Sequence, residues 1–491
     1  MKQKSLMRDV ALSLAAGFAF CFFCCYALAL NPFTLYSGYD QAIYEQMGLG
    51  MLQGRIPYVV LFDHKGFLLY VINAMGQWMS PGHTGLYFIL SLYLSVTFLC
   101  WLRTSDYLVH PSMRYVPAIT ALLFACLCEG GNMTETWSLG AISLPVYFLV
   151  GYICGRRQIG LGKCICIGLC IGIVANIRLN NVVPAFAVCL YMLIDLCRRG
   201  EYRRLTYSAC AVLCGFGLVT ISLAALYAAL YGTRYLADYW FGQVGFNLLY
   251  VDHYPQYPLW MSGGLMFPLF VLIVMLCVKW SYKNKLLLFT LATFLLTLLT
   301  TGRAYFAHYF TLFAPLVVLS ISLTLGKSFS ISSRTWRSIG AGMIALLVAA
   351  ASVFHEEISQ GVSGFVLREK AIEKCRNVLC GLSDKQKESI WNYNLKFAGA
   401  NVLQCAELTQ KNRVFLPWQA EGNYGVKEIG RIEEICPEVI LICENTLWEA
   451  GRSEECGGTP QDSIFITRNY HLLHRMQGTI QGKRVCIYIR N

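Results

Sequence analysis

A chain of 491 residues that is 56% hydrophobic and only 14% charged has too little polar surface to cover its apolar mass as a water-soluble globule. Its net charge of +12 is spread over six separate basic segments, which argues against a nucleic-acid footprint. The composition is that of an α-helical, polytopic membrane protein.

Apolar windows of about 20 residues mark the expected spans. The first, residues 10–30, follows Lys2, Lys4 and Arg8 and reads as an uncleaved signal anchor, because Ala27 to Asn31 lacks a small-x-small cleavage site. A long loop, 31–84, comes next. Spans then fall at 85–102, 115–128, 137–154, 164–177, 182–197, 206–231, 258–277, 286–299, 308–325 and 339–354, about eleven in all with the first. With the N-terminus in the cytoplasm, 18 basic residues lie on the inner side, whereas only Arg55, Lys65, Arg178, Arg234 and Arg303 lie outside. That parity satisfies the positive-inside rule and places the C-terminal segment outside the cell membrane.

Within the long loop, residues 67–79 are apolar but too short to span, so they are expected at the membrane interface with Trp78 as an aromatic anchor. The tail, 355–491, carries 17 basic and 17 acidic residues, the balance of a soluble module. Its pattern suggests a small α/β domain with helices at 364–382 and 385–399 and strands at 414–416, 439–443 and 485–489. Fifteen of the 22 cysteines lie in or beside spans, where apolar packing explains them. The other seven lie in the tail, an odd number compatible with one or two bridges but not with complete internal pairing.

Polar residues on the expected outer side are the candidates for chemistry. The loop contains Ser37-Gly-Tyr-Asp-Gln-Ala-Ile-Tyr44 and Phe62-Asp-His-Lys-Gly66, with carboxylates at Asp40 and Asp63 and a cation at Lys65. Asp40 alternatively serves as a helix cap, and Asp63-His64-Lys65 as a solvated turn. Arg178 sits in Asn176-Ile-Arg-Leu-Asn-Asn181, where the asparagines favour a polar cavity over simple snorkelling to the interface. Glu129-Gly-Gly-Asn-Met-Thr-Glu135 offers oxygen ligands for a divalent cation, contacts to substrate, or a plain turn. Arg303 and His308 close the outer end of a late span beside Tyr309. Aromatic residues with Asn247, Asp252 and His253 crowd the outer loop 238–258.

An acid soon after the first span, two short helices in the first outer loop and a lysine near the second of them resemble the integral-membrane glycosyltransferases of the GT-C fold. Within these the chain is most similar to the family 39 and aminoarabinose-transferase-like branch. Where that branch has an Asp-Glu pair this chain has Asp40-Gln41, and where it has Glu-Lys-Pro this chain has His64-Lys65-Gly66. The resemblance covers the bundle to about residue 320 and implies a GT-C-like membrane domain, 1–354, followed by an extracytoplasmic α/β domain, 355–491.

The resemblance also implies a polyprenyl-phosphate sugar donor dissolved in the membrane and a glycan, lipid or protein acceptor. No nucleotide-binding GxGxxG between a strand and a helix is present. Transfer needs a base for the acceptor hydroxyl and cations for the departing phosphate. Asp40 is the candidate base with Asp63 second, and Lys65, Arg178, Arg303 and His308 are the candidates for the phosphate. His64, Asn180, Asn181, Glu129, Asn132, Glu135 and Tyr309 are candidate substrate contacts. Glu129 and Glu135 are also candidates for a divalent cation, the one cofactor considered. Charges at mid-bilayer cost roughly 2.5 to 3.5 kcal/mol each, so those kept near span ends call for paired or functional roles. The rival readings are a transporter or flippase of a lipid-linked glycan, which predicts ionisable groups deep in several spans, and a non-catalytic assembly protein of the cell envelope.

Overall fold

The structure is a computed structural model that describes residues 2–23, 34–127, 131–155, 159–249, parts of 289–297, 307–326, 355–393, 395–416, 418–421, 425–444, 460–480 and 482–491. Arg303, Glu129 and the expected spans at 258–277 and 339–354 lie outside the described residues, as does most of that at 286–299. By internal contacts the chain forms two units. The first holds Met1–Asn31, His64–Ile72 and Leu86–Ser330, and the second holds Pro32–Asp63, Asn73–Gly85 and Ile331–Asn491. The loop expected to belong with the membrane domain therefore contributes most of its length to the same unit as the tail.

The longer helices in chain order are α1 (Lys2–Phe23), α2 (Asp40–Leu52), α3 (Phe67–Met79), α4 (Thr84–Leu108), α5 (Tyr115–Leu127), α6 (Thr134–Gly155), α7 (Leu161–Ala175), α8 (Val183–Arg198) and α9 (Tyr202–Tyr231). They are followed by α10 (Ala314–Leu325), α11 (His355–Cys380), α12 (Phe397–Cys405) and α13 (Pro460–Asn469). Among the described residues five helical segments are long and apolar enough to cross a bilayer: Thr84–Leu108, Thr134–Cys154, Leu179–Arg198, Tyr202–Tyr231 and His308–Leu325. The protein is a membrane protein.

Lipid chains are as apolar as leucine, so helices in a bilayer associate through close packing and hydrogen bonds rather than burial. Both devices are present in the first unit. A Cβ at Gly168 of α7 would run into the Val212 carbonyl, and one at Gly215 of α9 into the Ile165 carbonyl, so the two backbones approach as only glycine permits. The Tyr93 hydroxyl of α4 donates to the Trp137 carbonyl of α6 at 2.6 Å and accepts from the Gly140 amide at 2.9 Å. Trp101 Nε1 adds a bond to Ser143 Oγ at 2.8 Å. At the other end, the buried Asp9 of α1 pairs with Arg103 at 3.2 Å and Arg114 at 2.9 Å, which satisfies a carboxylate that could not otherwise be buried.

The second unit contains a sheet of four strands, β1 (Ile390–Tyr393), β2 (Val439–Cys443), β3 (Tyr470–Arg475) and β4 (Val485–Arg490), in the order β1-β2-β4-β3. β1 and β2 are parallel, and the other pairings are antiparallel. Successive strand side chains point to opposite faces. Val439, Leu441, Val485 and Ile487 accordingly enter one core with Ile372 and Leu379 of α11 and Val402 of α12. Ile440, Ile442 and Cys486 enter a second core with Trp391, Tyr393 and Ile466 of α13.

The helix expected over 385–399 is replaced by a short helix at Asp384–Lys387, strand β1 and the start of α12. The aromatic run Trp391 to Tyr393 packs against β2 in strand geometry, a pairing that local pattern does not reveal. Val414 forms only an isolated bridge, with Phe62, in place of an expected strand. Cys375, Cys380, Cys405, Cys436 and Cys486 are free thiols, so the expected bridges are not found among them.

Replacing Gly168 by valine is expected to separate α7 from α9 and lower the thermal midpoint of the detergent-solubilised protein by several degrees. A midpoint equal to wild type would show that this close approach is not required.

Candidate functional site

In the first unit the segment His64–Gly66 is fixed by backbone bonds before any side chain is considered. The Gly66 amide donates to the Ile177 carbonyl at 2.9 Å and the Leu68 amide to the Asn176 carbonyl at 3.1 Å. A Cβ at Gly66 would collide with the Asn176 carbonyl, so glycine is what lets these two stretches touch. Lys65 precedes one end of the Gly66–Ile177 bond, and Arg178 follows the other. Two cations far apart in sequence are thus brought to one junction.

Further contacts hold the same segment. Asn247 Nδ2 donates to the His64 carbonyl at 2.7 Å, Gln243 Oε1 accepts from the Phe67 amide at 3.0 Å, and the Tyr70 hydroxyl accepts from the Lys65 amide at 3.0 Å. Lys65 Nζ lies 2.6 Å from His64 Nε2. An ammonium only donates, so in this contact the imidazole nitrogen is the acceptor. His64, Lys65 and Asp63 are all buried.

Arg178 is positioned by three contacts from two residues. Its Nη1 pairs with Glu135 Oε1 at 2.6 Å, its Nη2 donates to the Tyr309 hydroxyl at 2.8 Å, and its guanidinium carbon stands 4.5 Å from the centre of the Tyr309 ring. Glu135 sits in the first turn of α6, where the helix dipole favours an acid, and its second oxygen accepts from Thr134 at 2.8 Å. The His308 ring lies 4.6 Å from that of Tyr309. Asn181 donates to Ser138 at 3.1 Å and Asn176 to Thr220 at 3.1 Å, so both line a polar interior rather than lipid. Asn180 is half-buried beside them.

Sequence reasoning offered Glu135 as a metal or substrate ligand, and in the structure its carboxylate is committed to Arg178 and Thr134. Among the described residues no group of three or more His, Cys, Asp or Glu could hold a metal. Asn132 is buried, and its Oδ1 accepts from Trp137 Nε1 at 2.8 Å.

In the second unit Asp40 is the first residue of α2, half-buried, and its Oδ2 accepts from the Tyr44 hydroxyl at 3.3 Å. The cap position belongs to Tyr39, which forms no side-chain cap bond, so Asp40 aids the helix only through the dipole. The chain has glutamine where the resemblance leads one to look for glutamate, but Glu45 lies one turn further along α2. It is fully buried, accepting from Ser37 Oγ at 2.7 Å and lying 3.3 Å from His83 Nε2. Sequence reasoning missed this trio; a second ionisable residue one turn beyond Asp40 and Gln41 in the same short helix was the available signal. α2 is buried on every side from Gln41 to Gly50, the state of a core helix, whereas α3 exposes Trp78, Met75 and Met79.

No protein-family model and no curated protein sequence matches this chain. Among solved structures it is similar to the crystal structure of ArnT from Cupriavidus metallidurans bound to undecaprenyl phosphate, with a TM-score of 0.54 over 99% of this chain and 98% of that one, at 11% identity. The chain has the GT-C fold. In this GT-C chain Lys65 and Arg178 flank one backbone junction, and Asp40 opens α2.

Removing Arg178 leaves Glu135 buried without its partner, so Arg178→Ala is expected to destabilise the protein by about 3 to 5 kcal/mol. Adding Glu135→Gln should recover part of that loss in a double-mutant cycle measured by unfolding. Strictly additive effects would show that the pair is not coupled.

Proposed function

We propose that this GT-C protein transfers a sugar from a polyprenyl-phosphate donor to a glycan, lipid or protein acceptor at the outer face of the cell membrane. The observation that carries the reading is the junction of Lys65 and Arg178 on either side of the Gly66–Ile177 hydrogen bond. A departing phosphate needs charge-assisted donors held in place beforehand. Arg178 supplies a planar fork already oriented by Glu135 and Tyr309, and Lys65 a compact charge. The undecaprenyl phosphate in the similar ArnT structure supports the donor class.

In this scheme the acceptor oxygen attacks the anomeric carbon and the bond from that carbon to the phosphate oxygen breaks. Polyprenyl phosphate leaves with the bonding electrons, and the acceptor proton passes to a carboxylate, for which we assign Asp40. Arg303 and His308 are assigned as further cationic or hydrogen-bonding partners of the phosphate. No step is routed through a metal.

Purified protein incubated with a panel of polyprenyl-phosphate sugars and acceptors is expected to release polyprenyl phosphate from at least one donor. Asp40→Asn should cut that turnover by about 10² to 10⁴ while the protein stays folded. Arg178→Lys should weaken undecaprenyl phosphate binding although the charge is kept. Silence across the panel, together with glycan-lipid translocation by the protein in vesicles, would favour the transport reading. The N-terminus is expected inside and the C-terminus outside; thiol labelling from one side in intact cells checks this, and a cytoplasmic C-terminus would overturn the outer-face assignment.

A further inference from the structure

The peptide leading into Asp40 is bound, group by group, by side chains from the C-terminal part of the second unit. The Glu369 carboxylate of α11 accepts from two successive amides, Leu35 at 2.5 Å through Oε2 and Tyr36 at 3.2 Å through Oε1. The Asn401 amide of α12 then bonds the backbone on both sides of the Ser37–Gly38 peptide. Its Oδ1 accepts from the Ser37 amide at 2.7 Å, and its Nδ2 donates to the Gly38 carbonyl at 2.7 Å. Cys405 Sγ donates to the Leu35 carbonyl at 2.8 Å. Burial first, then the nearby Glu369 and Glu45 charges, raises the Cys405 thiol well above its ordinary range, so it stays protonated and able to donate.

Side chains lock the same stretch. Tyr36 is buried in the core formed by α11 and α12, with the Arg368 guanidinium 3.7 Å from its ring centre. Ser37 Oγ meets Glu45 and also His83 Nε2 at 2.9 Å. Gly38 turns the chain with a φ of +97°, and α2 starts two residues later at Asp40. The next turn of α2 is tied as well, since Gln46 Nε2 donates to the Leu408 carbonyl at 2.9 Å and to Gln404 Oε1 at 3.3 Å.

An extended segment normally satisfies its backbone in a sheet. Here side chains replace the neighbouring strand, and the segment they fix ends at a carboxylate. We propose that Glu369 and Asn401 are positioning residues that clamp the peptide Leu35–Gly38 and so set the place of Asp40 for proton transfer. This rests on the assignment of Asp40 as the base. A general base must sit within hydrogen-bond reach of its proton, and a displacement of about 1 Å costs on the order of 10²-fold in rate.

The test uses the full-length protein and the undecaprenyl-phosphate sugar that supports turnover. Four variants are compared: Asn401→Ala, Asn401→Asp, Glu369→Gln and Asp40→Asn. The readouts are kcat, donor KM, undecaprenyl phosphate affinity and amide hydrogen exchange over residues 35–38. Asn401→Ala is expected to lower kcat by about 10- to 100-fold, with donor KM and undecaprenyl phosphate affinity unchanged and faster exchange at Ser37. Asn401→Asp keeps the acceptor for Ser37 but loses the donor for Gly38, so it should fall between Asn401→Ala and wild type. Glu369→Gln, a milder lesion in case Asn401→Ala does not fold, should speed exchange at Leu35 and Tyr36 and lower kcat.

Faster exchange with wild-type kcat in the folded variants, or a kcat loss matched by an equal loss of undecaprenyl phosphate affinity, would overturn the positioning role while leaving Asp40 as base. Wild-type turnover by Asp40→Asn would instead remove the base assignment, and this inference with it.

Discussion

A guanidinium enclosed in an apolar helix bundle needs a carboxylate, and the Arg178–Glu135 pair is the constraint around which the first unit is arranged. Separating such charges in a medium of low polarity is expensive, so the elements bearing them must be held in register. α6 brings Glu135 at its first turn, and the Tyr93 hydroxyl grips that helix one turn further along. α7 delivers Arg178 just beyond its last turn, and the glycine contact with α9 fixes that helix in turn. Tyr309 closes the third side with both its hydroxyl and its ring. Once the pair is in place, the carbonyls of Asn176 and Ile177 lie where the Gly66 segment can bond them, and Lys65 is carried to the same junction.

The second unit solves a different problem, because its core is assembled from pieces distant in sequence. Tyr36 packs with Ala371, Ile372 and Cys375, although more than 300 residues separate them. α2 packs against α12 through a chain of amides in which Gln46 donates to Gln404 and Gln404 to Gln77. Buried amides and carboxylates of this kind are tolerated only when they are bonded, and once bonded they specify one arrangement of the segments that carry them. The consequence is that most of the loop 31–84 and the C-terminal segment form one folded body, and that Asp40 and the sheet belong to it together.

Much of this was legible in the residues. Hydropathy marked the spans at 85–102, 137–154, 182–197, 206–231 and 308–325, because membrane helices must be long and apolar whatever they pack against. The limits of α3 coincide with the apolar run 67–79, and the periodicity of Val439 to Cys443 and Val485 to Ile489 identified two central strands. Arg178 stood out because asparagines surround it. What misled was local pattern without a partner: residues 385–399 read as helix until β2 paired with Trp391 and Tyr393. Glu45, His83, Glu369 and Asn401 went unremarked because each is an ordinary polar residue in its own neighbourhood.

Taken alone, the sequence determined the class of the protein and the short set of residues worth testing. Those properties follow from hydrophobicity and charge, which are summed along the chain and need no partner. Only the tertiary structure decided that Lys65 and Arg178 flank one backbone hydrogen bond, that Glu135 pairs with Arg178, and that the peptide before Asp40 is gripped by Glu369 and Asn401. Hydrogen bonds and ion pairs act over a few ångströms between atoms that can be hundreds of residues apart, so no local pattern encodes them.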